Sequence, residues 1–342
     1  MIENKGFLVG IEKRKKRYNL ILCIILLMLL SLICINMTLG TNATYPLSDV
    51  FKVLMGQDGI KGAYIIKNLR LPRTIAAVFC GIAFGVAGNT FQTLLRNPLA
   101  SPDIIGVSTG STVAAVYGIL YLHASNGAVS VMALISGLAA AGAIYWIATK
   151  GGYSGARLIL TGIGAQAFFT ALINWMVLKG AEYDVPSAMR WMTGNLNDIK
   201  SDGLPLLIFV VIIITGGIMF MGNILKGLEL GDAYATVLGI NVNLSRIIII
   251  ILAVVLIAFA TSVTGPISSI AFLSGPIATR ICGKRQTNTV SAGLVGACIV
   301  LAADFVGQNL LPTRYPVGVI TGILGAPYLL YLLININKGE KV

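Results

Sequence analysis

Long apolar runs separated by short polar segments dominate this chain. A helix of about twenty apolar residues crosses a bilayer, and ten runs approach or exceed this length. They lie at residues 20–39, 71–95, 104–122, 128–149, 158–178, 204–225, 246–264, 266–282, 290–311 and 317–336. The pattern predicts an all-α integral membrane protein of about ten transmembrane helices, with both chain ends on the same side of the membrane.

The basic residues give these helices an orientation. Residues 1–18 are polar and contain the run Lys13–Arg17. Sixteen Lys and Arg residues lie in the loops and tails on this predicted side, against nine on the other side. The positive-inside rule places that side in the cytoplasm. We therefore predict a multi-pass protein of the cell membrane, with cytoplasmic tails at 1–18 and 337–342 and one transmembrane domain at 19–336. A short surface helix is expected from Pro46 to Met55 on the outer side.

Small residues and prolines interrupt several of the predicted spans. Gly81, Gly85 and Gly88 form a small-residue face on the second span, which permits close helix approach. The eighth span is short and contains Pro266 and Pro276. Broken helices occur at membrane depth where they line protein or a cavity, so we expect this span to face other helices.

One segment between two spans, residues 229–241, has a helical period but is too short to cross a bilayer. Its apolar residues recur three and four positions apart, so one side is apolar; they are Leu230, Ala233, Tyr234, Val237 and Leu238. Gly231 and Gly239 bracket it, and Asp232 is expected as the helix N-cap. The pattern indicates a small amphipathic helix at the cytoplasmic face, available to a partner protein. An ordinary loop between helices is the alternative.

Composition and motifs exclude several classes of protein. The chain is 56% hydrophobic and 11% charged, whereas soluble domains carry about 25% charged residues. The net charge of +12 is explained by the cytoplasmic loops, so no nucleic acid partner is expected. The sequence has no phosphate-binding loop, zinc-protease motif or nucleophile elbow. We therefore expect no catalytic residue, no metal site and no cofactor. The five cysteines are expected to be buried thiols, and the lone His123 to be structural.

Two sets of ionisable residues at the predicted spans need an explanation. Asp304 lies inside the ninth span without an evident basic partner, and an intramembrane acid is a functional candidate by default. We interpret it as a structural carboxylate, with a proton relay as the alternative. Arg70 and Arg73 lie at the expected start of the second span, where a helix N-terminus disfavours cations. Such a position suggests a function in recognition, with snorkelling to lipid headgroups as the alternative.

Several ordered motifs over about residues 45–335 resemble the FecCD-type permeases of type II ABC importers for iron–siderophores, haem and vitamin B12. They are Arg70–Thr74, the loop Gln92–Ser108 with Arg96, Asn97, Pro98, Leu99 and Ala100, the segment Leu230–Ile240, and the motifs Gly265–Ser268, Leu301–Asp304 and Pro316–Tyr328. Two departures occur. Phe272–Ile277 lacks a histidine that the family commonly has, and Arg314 replaces an acid near the last helix.

The resemblance implies the fold of a type II ABC importer permease and a set of partners. These are a dimer of separate ATPase subunits, an extracytoplasmic substrate-binding lipoprotein, and a second permease copy or paralogue in the lipid bilayer. It implies that Leu230, Gly231, Asp232, Ala233, Tyr234, Val237, Leu238 and Gly239 dock on the ATPase. It also implies that Arg70 and Arg73 meet acidic residues of the binding protein. From its place in the last predicted outer loop, we expect Arg314 to extend the same basic patch.

The implied activity is ATP-driven import without catalysis in this chain, with a ferric siderophore as the expected cargo. Haem or a cobalamin is the alternative within the family. A secondary transporter needs several intramembrane coupling residues, and a membrane enzyme needs a nucleophile, a base or a metal cluster. The sequence offers neither set.

Overall fold

The computed structural model describes residues 2–40, 43–57, 59–150, 154–197, 199–283 and 287–339. Helices account for nearly all of the secondary structure in these ranges, and no strand is present among them. They are α1 (Ile2–Thr38), α2 (Leu47–Leu54), α3 (Leu71–Leu94), α4 (Val107–Leu120), α5 (Asn126–Thr149), α6 (Gly155–Lys179), α7 (Val185–Met192), α8 (Leu204–Phe220), α9 (Gly222–Glu229), α10 (Asp232–Val237), α11 (Val242–Thr264), α12 (Ile270–Cys282), α13 (Thr289–Asn309) and α14 (Val317–Gly339).

Each of the ten predicted spans corresponds to one long helix in the described part of the chain: α1, α3, α4, α5, α6, α8, α11, α12, α13 and α14. Seven are long and apolar enough to cross a membrane by length and composition. The other three are the shorter apolar helices α4, α12 and the Val317–Leu332 part of α14. The all-α membrane fold is therefore confirmed.

Several boundaries differ from the prediction. α1 continues through the polar N-terminal segment back to Ile2, so the helix does not begin at residue 19. The sixth span ends at Phe220, and α9 follows as a separate short helix. α11 ends at Thr264, because Gly265 adopts a positive φ and Pro266 follows it. α12 begins at Ile270. Met1, Lys284, Arg285 and residues 340–342 of the predicted C-terminal tail lie outside the described residues.

α3 is the central helix of the bundle. In the most apolar 18-residue stretch of its span, 78% is buried inside the protein, against 17% in the corresponding stretches of α1 and α6. α3 packs against α8, α11, α12 and α13. The peripheral helices expose large apolar side chains, as a lipid-facing helix does.

Three glycines of α3 explain why its neighbours approach so closely. A methyl group at Gly81 or Gly85 would overlap the backbone of α13, and one at Gly88 would overlap the backbone of α12 at Ala271. With no side chain in the way, the helix backbones come into contact, which is how small residues stabilise helix pairs in membranes. The predicted small-residue face is thus the central packing seam of the fold.

α2 and α10 lie at opposite ends of the bundle. α2 is the predicted short surface helix, with Val50 and Val53 buried and Phe51 and Leu54 exposed. α10 lies where α3 and α8 end and α11 begins. We call this end the α10 face and the other end the opposite face.

Candidate functional site

α10 is a single short helix held in a defined position at the α10 face. Ala235 points inward and is fully buried, and Ile240 lies against Gly227 of α9. Gly239 (φ +78°) ends the helix in the left-handed region. The amide of Ile240 donates to the carbonyl of Ala235, and the amide of Gly239 donates to the carbonyl of Thr236. These two bonds form a Schellman motif, so the C-terminus of α10 is closed by its own backbone.

The outer side of α10 exposes an unusual amount of apolar surface for so short a segment. Its residues are Leu230, Ala233, Tyr234, Val237 and Leu238, and we call them the α10 surface. Val237 is 86% exposed. A contiguous exposed apolar patch marks a contact site for protein or membrane. The structure therefore brings together the apolar residues singled out by their spacing, and docking on an ATPase stays a prediction.

Asp232 does not cap α10, and that prediction is wrong. The cap position is Gly231 (φ +120°), and no side chain caps the helix. Asp232 is the first helical residue, and its Oδ1 atom accepts hydrogen bonds from two arginines. The Nη2 atom of Arg96 is 3.1 Å away and that of Arg246 is 2.8 Å away. One carboxylate thus joins α10 to the end of α3 and to the start of α11.

The two arginines of this cluster have different surroundings. The Arg246 side chain is 5% exposed, whereas Arg96 is partly open to solvent. Arg96 has a left-handed backbone (φ +52°), and its Nε atom also donates to the carbonyl of Leu228 at 3.1 Å. Arg96 therefore reaches both α9 and α10. The sequence alone did not predict this bridge.

The rest of the loop motif gives Arg96 its position. The side-chain oxygen of Asn97 accepts from the amide of Leu99 at 2.9 Å, which makes a tight turn. Pro98 is exposed at the turn, and Ala100 is buried at its end. The amide nitrogen of Gln92 donates to the carbonyl of Phe272, which ties the end of α3 to α12.

Asp304, at the opposite face, has a basic partner, so the expectation that it has none is wrong. Its two carboxylate oxygens accept from Nε and Nη2 of Arg73, at 2.7 and 2.5 Å. Asp304 is 3% exposed. Arg73 also donates to the side-chain oxygen of Asn197. This two-pronged pair joins α3, α13 and the segment after α7, and it favours the structural interpretation of the acid.

Arg70 also has partners inside the chain. It donates to the backbone carbonyls of Met37 and Ala43, at 2.8 and 2.5 Å, and its guanidinium lies 5.0 Å from the centre of the Tyr45 ring. A cation that binds carbonyls at the end of α1 is favoured by the helix dipole.

The prediction that Arg70 and Arg73 lie at the start of a helix is wrong. A π-helical turn over Ile65–Arg70 leads directly into α3, so the helix begins before them. Their cationic charge therefore carries no dipole penalty that a recognition function would have to explain. Arg314 is exposed in the loop between α13 and α14.

Other candidate residues have structural surroundings. The Nδ1 atom of His123 lies 3.3 Å from the carboxylate of Asp184 on an exposed loop. All five cysteines are free thiols, and Cys23 is exposed rather than buried. In the part of the chain that the structure describes, no group of three or more His, Cys, Asp or Glu residues is placed to hold a metal ion.

Comparison with known proteins gives consistent results. The FecCD transport family matches residues 25–335. The ferric enterobactin transport system permease protein FepG of Escherichia coli is 35% identical over 86% of this chain and 90% of its own length. The Fe(3+)-citrate import system permease protein YfmE of Bacillus subtilis is 35% identical over 93% and 96% of the two chains. The iron(3+)-hydroxamate import system permease protein FhuG of the same organism is 30% identical over 93% and 97%.

Among solved structures, a metal-chelate type ABC transporter in an inward-facing conformation has a similar fold. The TM-score is 0.82 at 23% identity, and the match covers 92% of this chain and 99% of the other. At this identity the match concerns the fold.

Proposed function

Because the chain belongs to the FecCD transport family, we propose that it is the membrane-spanning permease of an ATP-driven importer for a ferric siderophore. The observation that carries the cargo is the agreement among relatives. The relatives described above are named for ferric enterobactin, ferric citrate and ferric hydroxamate, and each is at least 30% identical over most of this chain. A permease for haem or a cobalamin is the alternative within the family.

The proposed contact with the ATPase is the α10 surface, which places the α10 face in the cytoplasm. An apolar helix that exposes residues at three- and four-residue spacing suits insertion into a groove of a partner. The Asp232 bridge to Arg96 and Arg246 supports this proposal, since it ties α10 to two spans. A displacement of α10 by the partner would then move α3 and α11, rather than only the loop.

The opposite face is the proposed docking side for the substrate-binding protein. Arg314 is exposed there and available to acidic residues. Arg70 and Arg73 were also predicted to dock, but each has acceptors within the chain. Their participation would require an exchange of partners when the binding protein arrives.

A second permease copy is proposed to pack along α6. This helix exposes the side-chain amide of Asn174 among apolar residues, whereas the hydroxyl of Thr170 donates to the carbonyl of Gln166 within the helix. Polar side chains on a span face protein rather than lipid, because hydrocarbon offers them no hydrogen bonds. The exposed face of α6 therefore fits a protein neighbour better than bilayer.

The function is tested in vesicles that contain the permease, its ATPase and its binding protein. We expect uptake of iron from a ferric siderophore to require ATP and to persist when ion gradients are collapsed. Haem and cyanocobalamin, supplied with the same binding protein, are the matched cargo controls. Uptake driven by a proton or sodium gradient without the ATPase would refute the proposal, and ATP-driven uptake of haem alone would reassign the cargo.

A further inference from the structure

A crevice of about 860 Å³ lies between two spans at the opposite face. The first turns of α5 form one wall and the first turns of α8 the other. Both helices pack against α11, whose last turns form the floor. α7 and the segment after it border the mouth. Neither the α10 surface nor the pair Arg73–Asp304 lines this crevice, and the contacts proposed with the ATPase and the binding protein do not involve it.

The deeper part of the crevice is apolar and opens sideways. It is lined by Val131 and Leu134 of α5, Leu206 and Leu207 of α8, and Phe259 of α11. Val131 and Leu206, in the first two turns of α5 and α8, are mostly exposed. Water finds few hydrogen-bonding partners against these apolar side chains, and a void beside them forfeits dispersion contacts. A hydrocarbon chain satisfies both constraints.

The floor does not demand a polar ligand. Ser262 lies there, and its hydroxyl donates to the carbonyl of Phe259 at 2.8 Å, within the same helix. Its hydrogen-bonding requirement is thus met by the protein, and a chain can lie over it without leaving a polar group unsatisfied.

The mouth of the crevice is polar and carries two cations. Arg190 of α7 and Lys200 of the following segment line it, both exposed, together with Asn126 at the start of α5. A guanidinium and an ammonium donate charge-assisted hydrogen bonds to a phosphodiester. The N-terminus of a long helix on the same rim adds to the positive potential.

The rim also carries carboxylates, and their negative charge limits the kinds of lipid headgroup that fit there. Asp202 is exposed beside Lys200, and Asp184 lies 3.3 Å from His123. Charges of both signs around one mouth fit a zwitterion, with its phosphate at the cations and its amine at the carboxylates. Charge complementarity of this kind contributes to specificity.

Because the crevice has a charged mouth and an apolar interior, we propose that it holds one phospholipid of the surrounding bilayer. One acyl chain fills the space between α5 and α8, and the phosphate is bound by Arg190 and Lys200. The lipid then bridges two helices that meet through α11, and it completes the bundle at the opposite face.

The test uses Trp191, which lines the crevice and is partly buried. Trp146 and Trp175 are exposed on the spans, so they are replaced by Phe, leaving Trp191 as the single reporter in the full chain. The protein is placed in nanodiscs with rising amounts of phosphatidylethanolamine brominated near the top of the acyl chain. Bromine quenches tryptophan fluorescence on contact, so we expect saturable quenching of Trp191.

Two double variants test whether the cations at the mouth bind the lipid. Arg190→Gln with Lys200→Gln is expected to raise the brominated lipid needed for half-maximal quenching about fivefold. Lys179→Gln with Arg314→Gln removes the same charge at the same face, outside the crevice, and is expected to behave as the parent. No quenching in the parent, or equal quenching in both double variants, overturns the proposal.

A final competition experiment tests whether the acyl chains contribute to binding. Glycerophosphoethanolamine has the same phosphate and amine but no acyl chains, so we expect it not to relieve the quenching. If it displaces the brominated lipid at equal concentration, the apolar part of the crevice contributes nothing, and the lipid assignment is wrong.

Discussion

Replacing Asp232 by Asn tests whether α10 transmits motion through its charge bridge. Asn has the same shape but no charge, so it weakens the hydrogen bonds from both Arg96 and Arg246. The exposed contact with Arg96 contributes about 0.5 kcal/mol. The contact with the buried Arg246 contributes about 1.5 kcal/mol, at the low end for charged hydrogen bonds because Asp232 is half exposed. The sum of about 2 kcal/mol corresponds to a detached α10 population about thirty times larger.

Two measurements detect the larger population of detached α10. Amide hydrogen exchange over residues 233–240 should become faster by the same order, about thirtyfold, because local opening exposes these amides. ATP-driven uptake in the reconstituted transporter should fall while the protein remains in the membrane. Asp232→Glu keeps the charge on a longer side chain, so we expect it to retain more of both properties than Asp232→Asn.

The control is Asp49→Asn, which removes the same charge from an exposed pair with Lys52 on α2. It should change neither exchange of α10 nor uptake. Wild-type exchange in the Asp232→Asn variant would refute the bridging argument. A loss of uptake without faster exchange would instead assign Asp232 a direct contact with the partner.

Three further substitutions test the packing and the termini of the helices. Asp304→Asn should lower the free energy of unfolding by about 2–3 kcal/mol, measured by thermal unfolding, because it leaves the Arg73 cation without its carboxylate. The double variant Arg73→Met with Asp304→Leu replaces the pair by apolar side chains and should recover most of this loss. Equal losses in the two variants would contradict the prediction. Gly88→Ala should destabilise by about 2–4 kcal/mol through overlap with α12, while Gly142→Ala, which meets open space on α5, should be neutral or stabilising. Gly239→Val should cost about 1–2 kcal/mol of local stability at its left-handed backbone, measured by exchange of α10, and Gly239→Asn should be tolerated; similar exchange in both variants would remove the Schellman argument.

The sequence predicts the spans of this protein well because the bilayer imposes a simple rule. A run of apolar residues of fixed length must become a helix, since no other local structure satisfies its backbone in hydrocarbon. All ten runs are helices for this reason. The glycine face of α3 was also predictable, because three small residues at helical spacing have few other uses in a membrane.

The charge partners were not predictable, because they depend on tertiary contacts. Arg73 and Asp304 are 231 positions apart, and nothing in local spacing links them. Asp232 has the residue type and position expected of a cap, yet its carboxylate accepts from Arg246, 14 positions away, and from Arg96, 136 positions away. Local propensity gives way where a charged partner is near. The π-helical start of α3 was hidden for a related reason, since its polar residues resemble a loop.

The long separation between Arg73 and Asp304 has a consequence for biogenesis. α3 is made early, but the helices that fill its glycine seam, α12 and α13, are made near the end of the chain. At about 5–20 residues per second, the 231 positions between Arg73 and Asp304 correspond to about 10–50 seconds of synthesis. During that time the most buried helix of the finished protein stands in the membrane with its seam open and its cation unpaired. A ribosome that stops before α13 therefore leaves α3 packed on α8 and α11 but without the α13 side of its glycine seam and without the carboxylate that Arg73 binds.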